Sequence, residues 1–402
     1  MATTVGVGSS EDTNSRRAGI QAATQAASQL GGAPCDLVLL FATSRHDPKA
    51  VAQGVRSVLG PARIVGGHAV GVMTNDFLGY DGYQVGLAAI ASPSLEITTF
   101  IEGDIADRET DAGRALGKRI AETDYAGEPN ILLMYDSVKR PLSQGLLLNM
   151  ATPLLAGISE AVDPWPRAAG VGLLGALQWD QGALWCDDQV EHGAALALVL
   201  SGDVRMDTVI LHGCRPAGPY HTVTKVDGPT VLEIDGRPAL DVVDELIGGN
   251  GSKSWEDYPL WVTLGINKGD KFGEFQEADY ANRLCLAIDR DQRGVVMFEP
   301  DLTEGSEVQL MYRSVDFSYI EGRIASLFEQ AGDRAPFLVL YFDCAGRASV
   351  ICSTEGEEGA EVQRCIGDRV PLLGMYSGVE IAKMGPDMQA LDWTGVVCMF
   401  SH

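Results

Sequence analysis

Two short stretches, Asp343-Cys344-Ala345-Gly346-Arg347 and Gly374-Met375-Tyr376-Ser377-Gly378-Val379-Glu380, hold the residues best suited to chemistry in this 402-residue chain. Cys344 becomes a nucleophile only as a thiolate, and a guanidinium three residues on would favour that form. Nucleophilic work also requires a base, and none of the six histidines is near it in sequence. The alternative is a small half-buried residue packing a tight turn. Arg347 offers a planar fork matched to a carboxylate or phosphate ligand, or it pairs with Asp343 or Glu380 across two strand ends. Tyr376, Ser377 and Glu380 supply an aromatic wall, a hydroxyl and a carboxylate. Together they suit the ammonium and polar ends of an amino-acid-like molecule; singly, each also fits a capped turn. Arg283, at the head of a strand, is either an edge charge with a surface partner or an anion holder in the cleft.

The elements that must position these residues are buried strands. Residues 337–342 form an unbroken apolar run between Pro336 and Asp343, which suits a strand covered on both faces. A helix is expected over 355–366, with Val362, Cys365 and Ile366 on its apolar side. A second strand over 370–373 then breaks into the glycine-rich turn. Two strand ends thus deliver polar turns side by side, the usual place for a ligand in an α/β sheet.

The same outline occurs twice more. Residues 37–41 lead into Ala42-Thr43-Ser44, a helix, and a strand ending in Gly66-Gly67-His68-Ala69-Val70-Gly71. Residues 131–135 lead into Asp136-Ser137, a helix expected over 142–161, and Gly170-Val171-Gly172-Leu173-Leu174-Gly175. Each copy closes with an apolar strand, at 85–91, 194–200 and 394–400. The spacing is too irregular for a solenoid. Thr43, Ser44 and His68 would form a second pocket in the N-terminal half. His68 has no second ligand at metal spacing and reads as a hydrogen-bonded turn histidine.

Composition narrows the function. Lys and Arg number 30 against 55 Asp and Glu, a net charge of −25 with no offsetting basic run. Such a field repels phosphate backbones and acidic membrane surfaces. The eight cysteines form no Cys-x-x-Cys pair, as expected of reduced thiols in a cytoplasmic protein. The N-terminus lacks a signal peptide's basic start and apolar core, and no apolar run is long enough for a membrane span. Gly170–175 satisfies a dinucleotide-binding pattern, yet strand and turn follow it where a phosphate-capping helix is required. Lys253-Ser254 lacks the glycine that a P-loop places before its lysine. No Gly-x-Ser-x-Gly elbow occurs.

Elsewhere, Ser9 or Ser10 is expected to cap a first helix and Asp47-Pro48 to open a second. Arg215-Pro216-Ala217-Gly218-Pro219 marks the expected boundary between parts 1–217 and 218–402. Beyond it, 231–234 with Asp235-Gly236 signals a hairpin, and strands are expected over 260–264, 283–288, 295–299 and 308–311. The fold class expected is α/β: two tandem parts with mixed β-sheets and outer helices, built from internally repeated units.

Val5-Gly6-Val7-Gly8-Ser9-Ser10, 36–41 and 65–71 resemble the N-terminal half of FIST sensory domains. Asn282-Arg283, 301–305 followed by 308–311, Cys344-Ala345-Gly346-Arg347 and 374–381 resemble the C-terminal half, in order. His68 stands where that pattern has a small hydroxyl residue or Cys, Val72 replaces a Glu, and Val379 replaces a Gly, while Glu380 is retained. The resemblance implies a FIST N-like part over 1–217 and a FIST C-like part over 218–402. It also implies a cytoplasmic input module for signal transduction that binds a small ligand such as an amino acid. The partner implied is a separate signalling protein, such as a histidine kinase or diguanylate cyclase. No catalytic set, cofactor or metal is carried over. Two alternatives stay open. One is a haem-binding nitric-oxide sensor, with His68, His192, His212 and His221 as axial candidates; the other is a thiol enzyme using Cys344.

Overall fold

The computed structural model describes residues 3–144, 146–177, 179–248, 262–314, 316–352 and 354–402. The stretch around Lys253-Ser254 lies outside the described residues.

One connectivity appears three times. An edge strand runs into a helix, a lead strand, a second helix and a second strand parallel to the lead. A hairpin and an antiparallel closing strand follow. In the first unit the edge, lead, second and closing strands are Thr4–Ser10, Leu37–Ala42, Arg63–His68 and Val85–Ala91. In the second they are Leu95–Glu102, Asn130–Asp136, Arg167–Leu173 and Ala195–Gly202. In the third they are Arg205–Leu211, Pro336–Cys344, Leu372–Ser377 and Gly395–Ser401. The sheet of each unit is ordered edge, closing, lead, second.

Each hairpin joins another unit's sheet. Gly71–Thr74 of the first unit pairs with Leu372–Ser377 of the third. Leu184–Cys186 of the second pairs with Arg63–His68 of the first. Val379–Met384 of the third pairs with Arg167–Leu173 of the second. The exchange closes the three sheets into a ring around one core, which includes Leu39, Phe41, Leu132, Met134, Leu340 and Phe342. Phe41 and Phe342 meet edge to face with ring centroids 6.4 Å apart. The alternate residues of each lead strand, such as Val38 and Leu40, face the outer helices. Burial on both faces is why the lead strands read as unbroken apolar runs.

The outer helices are set by caps and by close approach. Asp47 accepts from Ala50 N at 2.6 Å, with Pro48 in the first turn, as the sequence suggests. At the first helix, Ser15–Gln29, the cap is Asn14 rather than Ser9 or Ser10: its Oδ1 accepts from Arg17 N at 3.0 Å. Ser9 and Ser10 are still strand residues, and Ser10 Oγ accepts from Asp12 N in the connecting turn. The helix expected over 142–161 is shorter, with a single 3-10 turn, Leu142–Gln144, followed by Ala151–Ser159.

A barrel interrupts the third unit between its edge strand and its first helix, Tyr319–Ala331. Glu307–Arg313, His221–Asp227, Thr230–Ile234, Gly294–Met297, Tyr280–Asp289 and Thr263–Asn267 pair in that order, and the last returns to the first. Its interior is apolar, with Val223, Val231, Leu264, Cys285, Val295 and Val308. Strand pairing runs across residue 217, where a boundary was expected, both within the third unit and between the first and third. Among the described residues no helix is long and apolar enough to cross a membrane.

Candidate functional site

The third unit's lead and second strands end in register, Cys344 opposite Ser377. Above those ends lies a cavity of about 300 Å³, at the lower limit of ordinary ligand pockets. Cys344, Ala345, Gly346, Ser377 and Gly378 line it from the third unit. Leu174, Leu177 and Trp179 line it from the second, and Leu284, Leu286 and Phe298 from the barrel. Leu146, Ile351, Asp392 and Trp393 complete the lining. The strand ends meet as the sequence implies, but the recess is apolar where a polar one was expected.

At the ends of the other two units the equivalent side chains bind their own neighbouring turns. At the register of Cys344, the first unit has Thr43, whose Oγ1 donates to Gly82 O at 2.6 Å. The second has Asp136, which accepts from Val138 N, Gly182 N and Gly193 N at 2.9–3.1 Å. Thr43 therefore serves a turn, and Ser44, half-buried, donates its N–H to Gly175 O. Neither lines the cavity. His68, expected as a hydrogen-bonded turn histidine, is buried edge-on against Trp185 with ring centroids 5.5 Å apart, and neither ring nitrogen meets full hydrogen-bond geometry with a partner among the described residues, the Gln181 backbone lying in looser contact. Burial brings its pKa down to about 4, so it is a neutral packing group.

Arg347 is not a ligand clamp. It is fully buried and its donors are all engaged. Nε donates to Asp343 Oδ1 at 3.0 Å, Nη1 to His212 O and Trp393 O, and Nη2 to Tyr319 OH, with Glu358 at 2.6 Å. Arg283 is likewise buried, neither an edge charge nor a free anion holder. It pairs with Asp301 and donates to Asn282 O and Ala390 O. Tyr376 lies away from the cavity, its hydroxyl donating to Glu357 Oε1 at 2.7 Å. Glu380 is buried beneath the floor, where Ser377 Oγ donates to its Oε1 at 2.6 Å. Burial raises the pKa of Glu380 well above its ordinary value, which disfavours the ionised form that a counter-ion for an ammonium would need. Burial, helped by Glu380, also raises the Cys344 thiol, opposite to the shift a nucleophile needs. Of the residues singled out in the sequence, only Cys344 and Ser377 line the cavity.

Two lining residues carry its polarity, and neither was apparent beforehand. Asp392 is 3% exposed; its Oδ2 accepts from Leu284 N at 2.9 Å, while Oδ1 has no partner among the described residues. Trp393 is 7% exposed and its Nε1–H likewise has no partner among the described residues. Trp393 and Trp179 both adopt left-handed backbone, at φ 49° and 57°, uncommon for bulky residues and a form of strain that gathers at functional sites. None of His68, His192, His212 and His221 lines the cavity.

The chain matches the FIST N domain model over residues 36–237 and the FIST C domain model over 239–383. It belongs to the FIST family. FIST domains are sensory domains. An uncharacterised Mycobacterium tuberculosis protein is 24% identical over 98% of this FIST chain and 99% of its own length. An uncharacterised Mycobacterium bovis protein is 23% identical over 98% of each chain. An uncharacterised Methanocaldococcus jannaschii protein is 23% identical over 47% of this chain and 38% of its own. Among solved structures, a cyanuric acid hydrolase from A. caulinodans gives a TM-score of 0.30 at 11% identity, covering 50% of this chain and 72% of the other. Another cyanuric acid hydrolase gives 0.31 at 8% over the whole of both chains.

Proposed function

We propose that this FIST protein is a sensory input module whose ligand is a small, mostly apolar molecule seated between the third unit and the barrel. The ligand class differs from the amino-acid-like one expected from sequence, because among the described residues Asp392 is the only charged one in the lining and aromatic and aliphatic side chains make the walls.

The observation that carries this reading is the position of the cavity among the attachments joining barrel to core. Asp392 holds Leu284 N, and Arg283 donates to Ala390 O. Glu299, carried on the barrel, accepts from Ala151 N and Thr152 N at the start of a second-unit helix, an arrangement favoured by the positive helix end. Arg313 pairs with Glu358 and lies over the Trp393 ring. A guest that prefers one setting of these contacts shifts the barrel's balance of positions. A separate protein, such as a histidine kinase or diguanylate cyclase, then reads the barrel.

The test is a thermal-shift screen of amino acids, small aromatics and haem, run on the native chain and on Ala345→Trp, which plugs the cavity. A small apolar probe at about one hundred times its Kd should stabilise the native chain by about 2.7 kcal/mol and leave the plugged variant unmoved. A flat screen, or a shift that survives the plug, would overturn the reading.

A further inference from the structure

The ring closes through three junctions, and two of them carry the same arginine tie. Six residues before Thr43, Asp136 and Cys344 stand Leu37, Asn130 and Leu338. Arg63 faces the first and Arg167 the second. Pro371, one residue ahead of the Leu372 that faces Val339, has the third place. Arg63 Nη1 donates to Ile97 O at 3.0 Å and Arg167 Nη1 to Met206 O at 3.3 Å, each on the edge strand of the next unit. Ile97 and Met206 are equivalent, since each faces the sixth residue of its closing strand, Leu200 or Phe400. The matching carbonyl at the third junction is Val5 O, on the residue opposite Ile90. Each arginine is neutralised by a carboxylate, Asp187 for Arg63 and Asp207 for Arg167. Proline has neither an N–H nor a side-chain donor, so Pro371 cannot make this tie.

A groove of about 470 Å³ lies beside Pro371 at that third junction. Val7 and Asn75 line it, the residues that correspond to Thr99 and Asp187 around Arg63. Asp76 and Asp368 line it too, both exposed and neither ion-paired among the described residues. No Lys, Arg or His among the described residues enters the lining. The edge strand is held here by its own helix: Gln29 accepts from Val7 N at 3.1 Å and donates to Val7 O at 2.6 Å. We propose that the groove takes a guanidinium from outside the chain, a partner protein's arginine side chain or a free guanidino compound, in place of the arginine that the third unit lacks. Asp76 and Asp368 neutralise it, and it bridges the third and first units as Arg63 bridges the first and second. The planar fork matters, because a guanidinium reaches a carboxylate and a backbone carbonyl together, as Arg63 and Arg167 do, while an ammonium is a point charge. Anions are refused by the two carboxylates. The inference is independent of the apolar cavity and its ligand.

The experiment is calorimetric titration of the full chain with butylguanidinium, butylammonium, butylurea and a blocked Gly-Arg-Gly peptide. Butylguanidinium should bind saturably and more tightly than butylammonium or the uncharged butylurea, and its affinity should fall as salt is added. Asp76→Asn and Asp368→Asn should each weaken it by up to about fivefold, the worth of a solvent-exposed ion pair. Pro371→Arg restores the arginine of the other two junctions; it should abolish binding of butylguanidinium and raise the melting temperature. Tighter binding of the peptide would assign the site to a partner's arginine, and tighter binding of butylguanidinium to a free compound; both support the site. Butylurea binding as tightly as butylguanidinium would overturn the proposal, as would binding that survives Pro371→Arg. Absence of saturable binding by both guanidinium probes would overturn it as well. Should Pro371→Arg not fold, the two aspartate variants decide, since both side chains are exposed and can be changed without disturbing the core.

Discussion

Gly193 and Trp393 hold the same place in two copies of one unit, two residues ahead of the closing strand, with φ of 55° and 49°. At Gly193 the left-handed backbone meets no steric cost, since an added Cβ would find nothing within 4 Å and only the conformation itself is restrictive. The third unit places its bulkiest side chain in that conformation. It also puts Cys344 where the second unit has Asp136, the carboxylate that accepts from Gly193 N at 2.9 Å. Both changes act at one end of one copy, and that end holds the cavity.

Arg347 is expected to behave as a structural residue. Replacing it by Met leaves Asp343 and Glu358 buried without their shared cation, and Arg347→Met should lose about 3–5 kcal/mol of stability in urea denaturation. Arg347→Lys should recover only part of this, because one ammonium cannot span the same fork. A stable Arg347→Met chain that had merely stopped binding ligand would restore the clamp reading.

The helix pairs give a test with opposite signs. Gly113 abuts the neighbouring helix so closely that a Cβ would lie 2.1 Å from Leu154 O. Gly322, in the corresponding helix of the third unit, has nothing within 4 Å. Alanine is favoured over glycine in a helix by about 1 kcal/mol. Gly322→Ala should therefore raise the melting temperature, and Gly113→Ala should lower it as two backbones are forced apart. Equal effects at the two sites would show that the two helices of the second unit are not closely packed.

Asp392 sets a pH dependence whose sign is fixed by its burial. The native chain keeps this proton up to about pH 7, whereas the unfolded carboxyl releases it near 4. Its contribution is therefore present at acid pH and lost as pH rises through that window, with Arg283 opposing the trend and Glu299 reinforcing it. Stability measured by chemical denaturation at about pH 5.5 and about pH 8 should converge between native chain and Asp392→Asn by about 2 kcal/mol at the higher pH. Parallel profiles would mean that Asp392 is ionised throughout.

Much of the scaffold is legible in the residue order. The lead strands announce themselves as apolar runs ending in a polar turn, and Asp47-Pro48 marks a helix start without ambiguity. Arginine is less readable, because a guanidinium's partner is set by the fold: Arg347 meets Glu358 and His212 O, and Arg283 meets Asp301, contacts that no local spacing reveals. Asp392 and Trp393 carry no periodic signal and resemble the start of a strand. Matching the copies residue by residue would have set Trp393 beside Gly193 and marked that position as a departure between the copies.

The exchanged hairpins bear on how the chain reaches its native state. Gly71–Thr74 finds its sheet only when Leu372–Ser377 arrives, a partner roughly 300 residues later, and pairings of such separation are slow to form. During synthesis the first two units must wait with one sheet margin open, a site where strands of other chains can add. Ring closure is thus a late event, and exposure to aggregation should end only when the last unit has emerged.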